Sequence, residues 1–239
     1  MTETVELNWP GHSGRPFAHR GTDADRGVIQ QIFGSEDYSL AALRRGEELR
    51  QIYERTVISG GKPLILDAGA NIGASVVYFC MSYPGAHVLA LEPAPDNFEL
   101  LLRNANGLDV DARCAGIAAA SGHAVLLDPG LGEWGYRTCR TFPEGDGPTV
   151  ALCAAAQIVA QKAAEGFVPF IAKIDIEGGE ADLFSRDTGW IDEFPLLIVE
   201  LHDWLLPHSA NSRNFLKCVS QRDRDFVYVG ENVFSIRNG

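Results

Sequence analysis

Residues 63–73 read PLILDAGANIG, an apolar run that ends in an acid and continues into two spaced glycines. The apolar run suits a strand buried on both faces, and Asp67 stands where that strand ends. Gly69 and Gly73 follow, and a helical pattern begins directly after them. Glycines let the backbone come close to a ligand, and a helix start offers unpaired N–H groups. The stretch therefore predicts a strand, a tight turn and a helix that together form a nucleotide-type pocket.

The glycine spacing distinguishes between classes of nucleotide site. The pattern from Asp67 to Gly73 is D-x-G-x-x-x-G, whereas a dinucleotide site uses G-x-G-x-x-G. The dehydrogenase fingerprint is therefore not met. The pattern instead resembles the first motif of class I S-adenosylmethionine (SAM) methyltransferases. A strand, turn and helix without a ligand is the alternative for this stretch alone, because glycine turns often only end an element.

Composition limits the class of protein and its partners. The chain has 239 residues, of which 46% are hydrophobic, and a net charge of −12. These values predict a globular domain with additions, and the negative charge disfavours nucleic acid and anionic membranes as partners. No long apolar window and no basic leader occurs, so we expect no membrane span and no signal peptide. Five scattered cysteines without a C-x-x-C pair favour a cytoplasmic location.

The chain before residue 61 has a different pattern from the rest. Residues 1–22 are rich in glycine, proline, histidine and polar groups, and we predict an irregular arm there. Apolar residues at helical spacing then predict a helix ending near Gly34 and a second one over residues 40–59. We therefore divide the chain into an N-terminal arm and helical cap, residues 1–60, and a core, residues 61–239.

Strands and helices alternate through the core. Strands are predicted at 64–67, 86–92, 110–119, 123–127, 170–176 and 196–201, helices at 74–83, 95–106, 150–164, 179–184 and 211–221, and a long loop at 130–147. Residues 226–229 and 233–236 flank a Gly-Glu-Asn turn and predict a terminal hairpin. This order predicts an α/β fold with a doubly wound, mostly parallel sheet, an antiparallel edge hairpin and the N-terminal cap.

Cofactor-binding residues are expected at the carboxyl ends of the strands, where open parallel sheets bind ligands. Glu92 ends the second strand, 25 residues after Asp67, and a carboxylate there suits the two hydroxyls of a ribose. A solvated or helix-capping glutamate is the alternative. Small apolar residues end the third strand and suit the flank of an adenine or plain core packing. The predicted cofactor-binding residues are Asp67, Gly69, Asn71, Gly73, Glu92, Pro93, Asn97, Gly116, Ile117 and Asp175.

Residues 172–180, AKIDIEGGE, carry the second group of ionisable residues. Strand alternation predicts that Lys173, Asp175 and Glu177 share one face. Buried together, these charges must pair, face a cavity or bind a ligand. A structural Lys173–Asp175 pair with Glu180 capping the next helix is the alternative.

The two motifs together resemble the FkbM family of SAM-dependent methyltransferases. The resemblance is carried by residues 64–73, by K-I-D-I-E-G-x-E at 173–180, by E-x-H at 200–202 and by residues 22–38. It covers roughly residues 20–205. It implies the class I methyltransferase fold, SAM as cofactor, and mostly O-methylation of sugar or polyketide hydroxyls in secondary metabolism. The acceptor does not carry over from the family.

Methyl transfer to a hydroxyl needs an acceptor held in line with the methyl group and a base for the hydroxyl proton. His202 is the first candidate base, because it follows the fifth strand and its ordinary pKa lies near neutrality. Asp175 is the second candidate, as base or as a group that orients the acceptor. A divalent metal ion held by Asp175, Glu177, Glu200 and His202 is a further alternative, although their spacing matches no tight ligand motif.

Acceptor specificity is expected from the segments that cover the strand ends. The 130–147 loop and the N-terminal cap are the predicted lids. The predicted substrate-binding residues are Trp134, Tyr136, Arg137, Glu177, His202 and Trp204. The leading interpretation is thus a SAM-dependent O-methyltransferase of a small molecule, with homo-oligomerisation left open. The alternatives are a nicotinamide oxidoreductase, which the glycine spacing disfavours, a protein methyltransferase, and an inactive SAM- or nucleotide-binding domain.

Overall fold

The computed structural model describes residues 2–9, 11–127, 136–139 and 147–239. The strands are β1 Glu3–Trp9, β2 His12–His19, β3 Lys62–Ala68, β4 His87–Leu91, β5 Val110–Arg113, β6 Ala115–Ala118, β7 Gly122–Leu127, β8 Arg137–Cys139, β9 Thr149–Ala154, β10 Phe167–Ile174, β11 Leu196–Glu200, β12 Arg224–Val229 and β13 Asn232–Arg237. The α-helices are α1 Asp23–Ile29, α2 Gly46–Ile58, α3 Ala74–Ser82, α4 Pro95–Asn104, α5 Ala155–Ala164, α6 Glu180–Leu183 and α7 Arg213–Ser220. A π-helical turn, Gln30–Gly34, and two 3-10 helices, Leu40–Ala42 and Thr188–Glu193, complete the helical segments of these ranges.

The central sheet confirms the predicted α/β architecture. Within the described residues its seven strands follow the order β12-β13-β11-β10-β3-β4-β5. The five strands from β11 to β5 are parallel, and β13 joins β11 antiparallel as one arm of the predicted hairpin. The chain order reverses between β3 and β10, so the carboxyl ends of these two strands flank the position where a ligand is expected.

Both faces of the sheet are buried, as continuous apolar strands require. Ile65 packs into one hydrophobic cluster with α3 and the N-terminal segment, whereas Leu64 and Leu66 pack into another with α5 and α7. Asp67 interrupts the apolar run of β3 at its carboxyl end, and its side chain is fully buried. The polar groups of the strand ends are therefore enclosed by two apolar layers.

The prediction of an irregular N-terminal arm is wrong, because β1 and β2 form an antiparallel hairpin. Apolar residues at every second position of β1 point inward, and Leu7 and Phe17 belong to the main core cluster. The buried side chain of Asn104 accepts a hydrogen bond from the Ala18 N–H at 2.7 Å and donates to the Ile72 carbonyl at 2.8 Å. The hairpin is thus fastened to the glycine turn by contacts between distant parts of the chain.

Other predicted boundaries also change. The third strand divides at Cys114 into β5, which joins the central sheet, and β6, which joins a second sheet with β9, β7 and β8. The predicted helix at 150–164 begins only at Ala155, since its first residues form β9 beside β6 and β7. The predicted helix at 40–59 is a 3-10 turn followed by α2. Gly46, the first residue of α2, lies against the Leu40 carbonyl, and a Cβ on Gly46 would fall 2.0 Å from that oxygen.

None of the helices in the described ranges combines the length and hydropathy that crossing a bilayer requires.

Candidate active site

A cavity of about 550 Å³ opens at the carboxyl ends of the central strands. Between the end of β3 and β8 it is lined by Gly69, Asn71, Glu92, Pro93, Asn97, Gly116, Ile117, Tyr136 and Thr138. It is also lined by Asp23, Ala24, Gly27, Val28, Gln31, Asp175, Ile176, Glu177, Glu200, Trp204 and Glu231. Asp175, Glu177 and Glu200 come together around His202 and form the acidic part of the cavity. The predicted cofactor residues and the acidic residues of the fourth and fifth core strands therefore share one cavity.

The glycine turn brings two strand ends into direct contact. Gly69 has φ +79°, and a Cβ at this position would lie 1.7 Å from the carbonyl oxygen of Asp175. The Gly69 N–H donates to the Leu91 carbonyl at 2.9 Å, which ties the turn to β4 as well. A glycine is therefore required at position 69 because the backbone of Asp175, directly after β10, lies so close to it. This requirement exists whether or not a ligand also approaches the turn.

Glu92 lies in the cavity wall with its carboxylate fixed by backbone donors. Its Oε2 accepts a hydrogen bond from the Asn71 N–H at 2.8 Å, and its Oε1 accepts one from the Ala94 N–H at 2.9 Å. Burial raises the pKa of Glu92 to about 7, although these two backbone hydrogen bonds act to lower it. Oε1 also accepts a longer hydrogen bond from the Asn97 side-chain amide at 3.5 Å, so the open acceptor site of the carboxylate is on Oε2.

Lys173 joins the ends of β3 and β10. Its buried ammonium lies 3.3 Å from Asp67 Oδ1 and 3.4 Å from Asp175 Oδ2, and it donates to the Gly69 carbonyl at 2.7 Å. Burial alone would lower the pKa of Lys173, but Asp67, Tyr38 and Asp175 raise it above its ordinary value. The predicted structural pair therefore exists, with Asp67 as an additional partner.

The strand alternation that was expected over residues 173–177 does not reach residue 177. β10 ends at Ile174, and Glu177 adopts φ +50° in the turn that follows. This turn still directs Glu177 toward the cavity beside Asp175. Burial, followed by the nearby Asp175 charge, raises the pKa of Glu177 to about 8.

His202 lies fully buried behind these carboxylates. Its Nδ1 is 2.8 Å from Glu180 Oε1, and its Nε2 is 3.5 Å from Asp175 Oδ1, 3.4 Å from Glu177 Oε2 and 3.5 Å from Glu200 Oε1. Burial alone would lower the pKa of His202, but the neighbouring carboxylates, first Glu180 and then Glu200, raise it to about 11. A pKa raised in this way by the surrounding carboxylates does not favour the predicted role of general base.

Comparison with known proteins identifies the family. The sequence profile of the methyltransferase FkbM domain matches residues 67–228. The chain belongs to the FkbM methyltransferase family. This membership makes the protein a SAM-dependent methyltransferase, as the two motifs of the FkbM resemblance predicted.

Individual relatives differ in how much of the chain they share. The hexuronic acid methyltransferase AglP of Haloferax volcanii is 26% identical over 83% of this chain and 78% of its own length. The 31-O-demethyl-FK506 methyltransferase FkbM of Streptomyces tacrolimicus is 33% identical over 44% of this chain and 35% of its own length. Among solved structures, an O-methyltransferase from Bacillus cereus in complex with SAH matches with 12% identity and a TM-score of 0.46, over 89% of this chain and 90% of that one.

The positions of the predicted site residues in this FkbM-family chain fall into three groups. Most predicted cofactor residues line the cavity, together with Asp175, Glu177, Tyr136 and Trp204. Asp67, Gly73, Arg137 and His202 are not part of that lining. Trp134 lies outside the described residues.

Several residues of the site were not predicted. Asp23, Gly27 and Gln31 of α1 and the adjoining π-helical turn also line the cavity. Their spacing of four residues places them on one helix face, and this stripe of polar and small residues was the signal available in the sequence. The position of Glu231, in the turn of the terminal hairpin, has no comparable local signal.

Proposed function

We propose that this protein transfers a methyl group from SAM to a hydroxyl group of a small-molecule acceptor. The single observation that supports this most is the continuous cavity with a fixed carboxylate, Glu92, in one part and the acidic residues Asp175, Glu177 and Glu200 in the other. A cavity of about 550 Å³ lies in the range usual for small-molecule sites.

The residues around Glu92 fit the nucleoside part of SAM. The Glu92 carboxylate, with its open acceptor site on Oε2 and only the long Asn97 contact as a second donor on Oε1, suits ribose hydroxyls, and Gly116 and Ile117 offer a small apolar wall for the adenine. When bound, SAM supplies an activated methyl group. The protein then has to hold the acceptor in line with that group and exclude water.

The acidic part of the cavity fits a hydroxylated acceptor. Hydroxyl groups donate hydrogen bonds to carboxylates, and Trp204 and Tyr136 offer aromatic surfaces at the cavity wall. We assign acceptance of the hydroxyl proton to Asp175 or Glu177, because both line the cavity whereas His202 lies behind them.

The acceptor class is inferred from named relatives. One is a hexuronic acid methyltransferase and another acts on 31-O-demethyl-FK506, so a sugar acid or a polyketide hydroxyl is the proposed acceptor. The test is incubation of the protein and SAM with uronic acids, their glycosides and hydroxylated macrolides, with mass spectrometry of the products. We expect an O-methylated product with an equal amount of S-adenosylhomocysteine, and its loss in the Asp175→Asn variant. Transfer confined to amine acceptors would contradict the proposal.

Cofactor affinity should depend on the ionisation of Glu92. Because the pKa of this carboxyl lies at about 7, it is ionised above that pH and becomes protonated below it. Protonation removes acceptor capacity, so the dissociation constant for SAM should rise about tenfold from about pH 8 to about pH 6. Calorimetric titration of SAM at several pH values measures this. The same dependence in Glu92→Gln would assign it to another group.

A further inference from the structure

Three side chains in the acidic part of the cavity present ligand atoms to one point. One ligand atom each from Asp175, Glu200 and His202 lies within 4.8 Å of the other two. Asp175 and Glu200 line the cavity, so the point between these atoms can be reached from it. Two carboxylates and one imidazole are ligand types of divalent metal sites.

The unpaired atoms of this cluster point to something that the protein itself does not supply. His202 Nε2, Asp175 Oδ1 and Glu177 Oε2 are buried and have no hydrogen-bond partner among the described residues. The His202 side chain is 0% exposed, yet its Nε2 faces the carboxylates at 3.4–3.5 Å, which is long for a charge-assisted hydrogen bond. Buried polar atoms are normally paired, so unpaired ones at a cavity wall call for a ligand.

The other side of the imidazole is arranged as in a metal-binding histidine. Nδ1 is 2.8 Å from the carboxylate of Glu180, which is itself fully buried. Glu180 accepts further hydrogen bonds from the Asn211 side chain and from the Gly178 N–H. A carboxylate on one ring nitrogen fixes the tautomer and directs the lone pair of the other nitrogen to a metal ion.

The local charge also favours a cation. Asp175, Glu177, Glu180 and Glu200 surround His202, and Lys173 already lies between Asp175 and Asp67. The imidazole carries at most one positive charge, whereas a divalent ion would compensate two of these carboxylates. A metal ion replacing the proton on Nε2 would therefore reduce the repulsion among the acids further than the proton does.

We propose that Asp175, Glu200 and His202 bind one divalent transition-metal ion, with Glu177 beside it. The nitrogen ligand favours ions such as Mn²⁺ or Zn²⁺ over Mg²⁺ and Ca²⁺. Three protein ligands leave coordination positions open toward the cavity. Under the proposed function, on which this role depends, an acceptor hydroxyl occupies one of them, loses its proton more readily and gives that proton to a neighbouring carboxylate.

The first test is calorimetric titration of the chelator-treated full chain with Mn²⁺, Zn²⁺ and Mg²⁺. We expect one Mn²⁺ or Zn²⁺ per chain with a dissociation constant of about 100 µM or lower, and weaker binding of Mg²⁺. Glu200→Gln should weaken binding about 10- to 100-fold. Glu99→Gln is the matched control, because Glu99 is exposed on α4 and does not line the cavity.

A spectroscopic measurement keeps the proposal testable where variants fold poorly. Pulsed electron paramagnetic resonance of the Mn²⁺-loaded wild type should show nitrogen hyperfine coupling, which His202→Gln should remove. Absence of Mn²⁺ and Zn²⁺ binding at millimolar concentration, or binding without the nitrogen coupling, would overturn the proposal and leave His202 as an internal counter-ion. SAM titration of the same samples separates the two hypotheses: SAM binding without metal binding rejects only the metal site, and metal binding without SAM binding rejects only the proposed function.

Discussion

Replacement of Glu92 by Gln should weaken SAM binding about 10- to 100-fold, the equivalent of the about 1.5–3 kcal/mol that hydrogen bonds to a charged group contribute. The two oxygens of Glu92 each accept one backbone N–H, from Asn71 and Ala94. A glutamine would turn an NH₂ group against one of these donors and would remove the negative charge. The variant should therefore lose both the fixed position of the side chain and its capacity to accept ribose hydroxyls.

Calorimetric titration of SAM measures this effect. Glu99→Gln is the matched control, since Glu99 is exposed on the following helix α4 and does not line the cavity. The control should bind SAM as the wild type does, and both variants should unfold at the wild-type temperature to within a few degrees. Unchanged affinity in a folded Glu92→Gln sample would mean that the cofactor does not use this carboxylate.

The second large effect is expected from Lys173→Met, which should lower the free energy of unfolding by about 3–5 kcal/mol. Methionine has a similar volume but no charge, so Asp67 and Asp175 would lose their shared cation. Asp67 is fully buried, and its remaining contact is the hydroxyl of Ser75 at 2.6 Å. An uncompensated carboxylate in this position is costly, and a loss of this size is a large part of the stability of a typical domain.

Denaturant unfolding of wild type and variant measures the difference. Lys62→Met is the matched control, because Lys62 forms an ion pair with Asp109 at 2.7 Å in which both side chains are 46% exposed. An exposed pair of this kind contributes about 0–1 kcal/mol, so the control should change stability little. Equal effects of the two substitutions would show that the Lys173 cluster is solvated and contributes no more than a surface pair.

Among the described residues of the site, the basic side chains Lys173 and His202 are both buried but have different contacts. Lys173 holds the ends of β3 and β10 together through Asp67, Asp175 and the Gly69 carbonyl. His202 holds the end of β11 next to Glu180 and the carboxylates of the cavity. Because the acids that line the cavity are fixed from behind, their positions depend on the fold and not on the bound molecules.

Local sequence patterns determined the central elements of the fold and one part of the site. The apolar run with Asp67 and the spaced glycines predicted β3, the turn and α3, and the alternation that follows predicted the mostly parallel sheet. Glu92 was found from its position at a strand end. These features follow from contacts between near neighbours in the chain, since burial on both faces and glycine turns leave their pattern within about ten residues.

The tertiary structure decided how the catalytic candidates are arranged. The sequence placed His202 after a strand, but its burial behind the acids depends on Glu180 and Asn211. Glu180 lies 22 residues before His202, to which it is hydrogen-bonded, and 31 residues before Asn211, which donates to it. The N-terminal hairpin and the α1 face were likewise fixed by contacts such as those of Asn104 with Ala18, 86 residues away. The ionisation of a side chain depends on which distant groups surround it, so the role of each acid and of His202 emerges only from the folded chain.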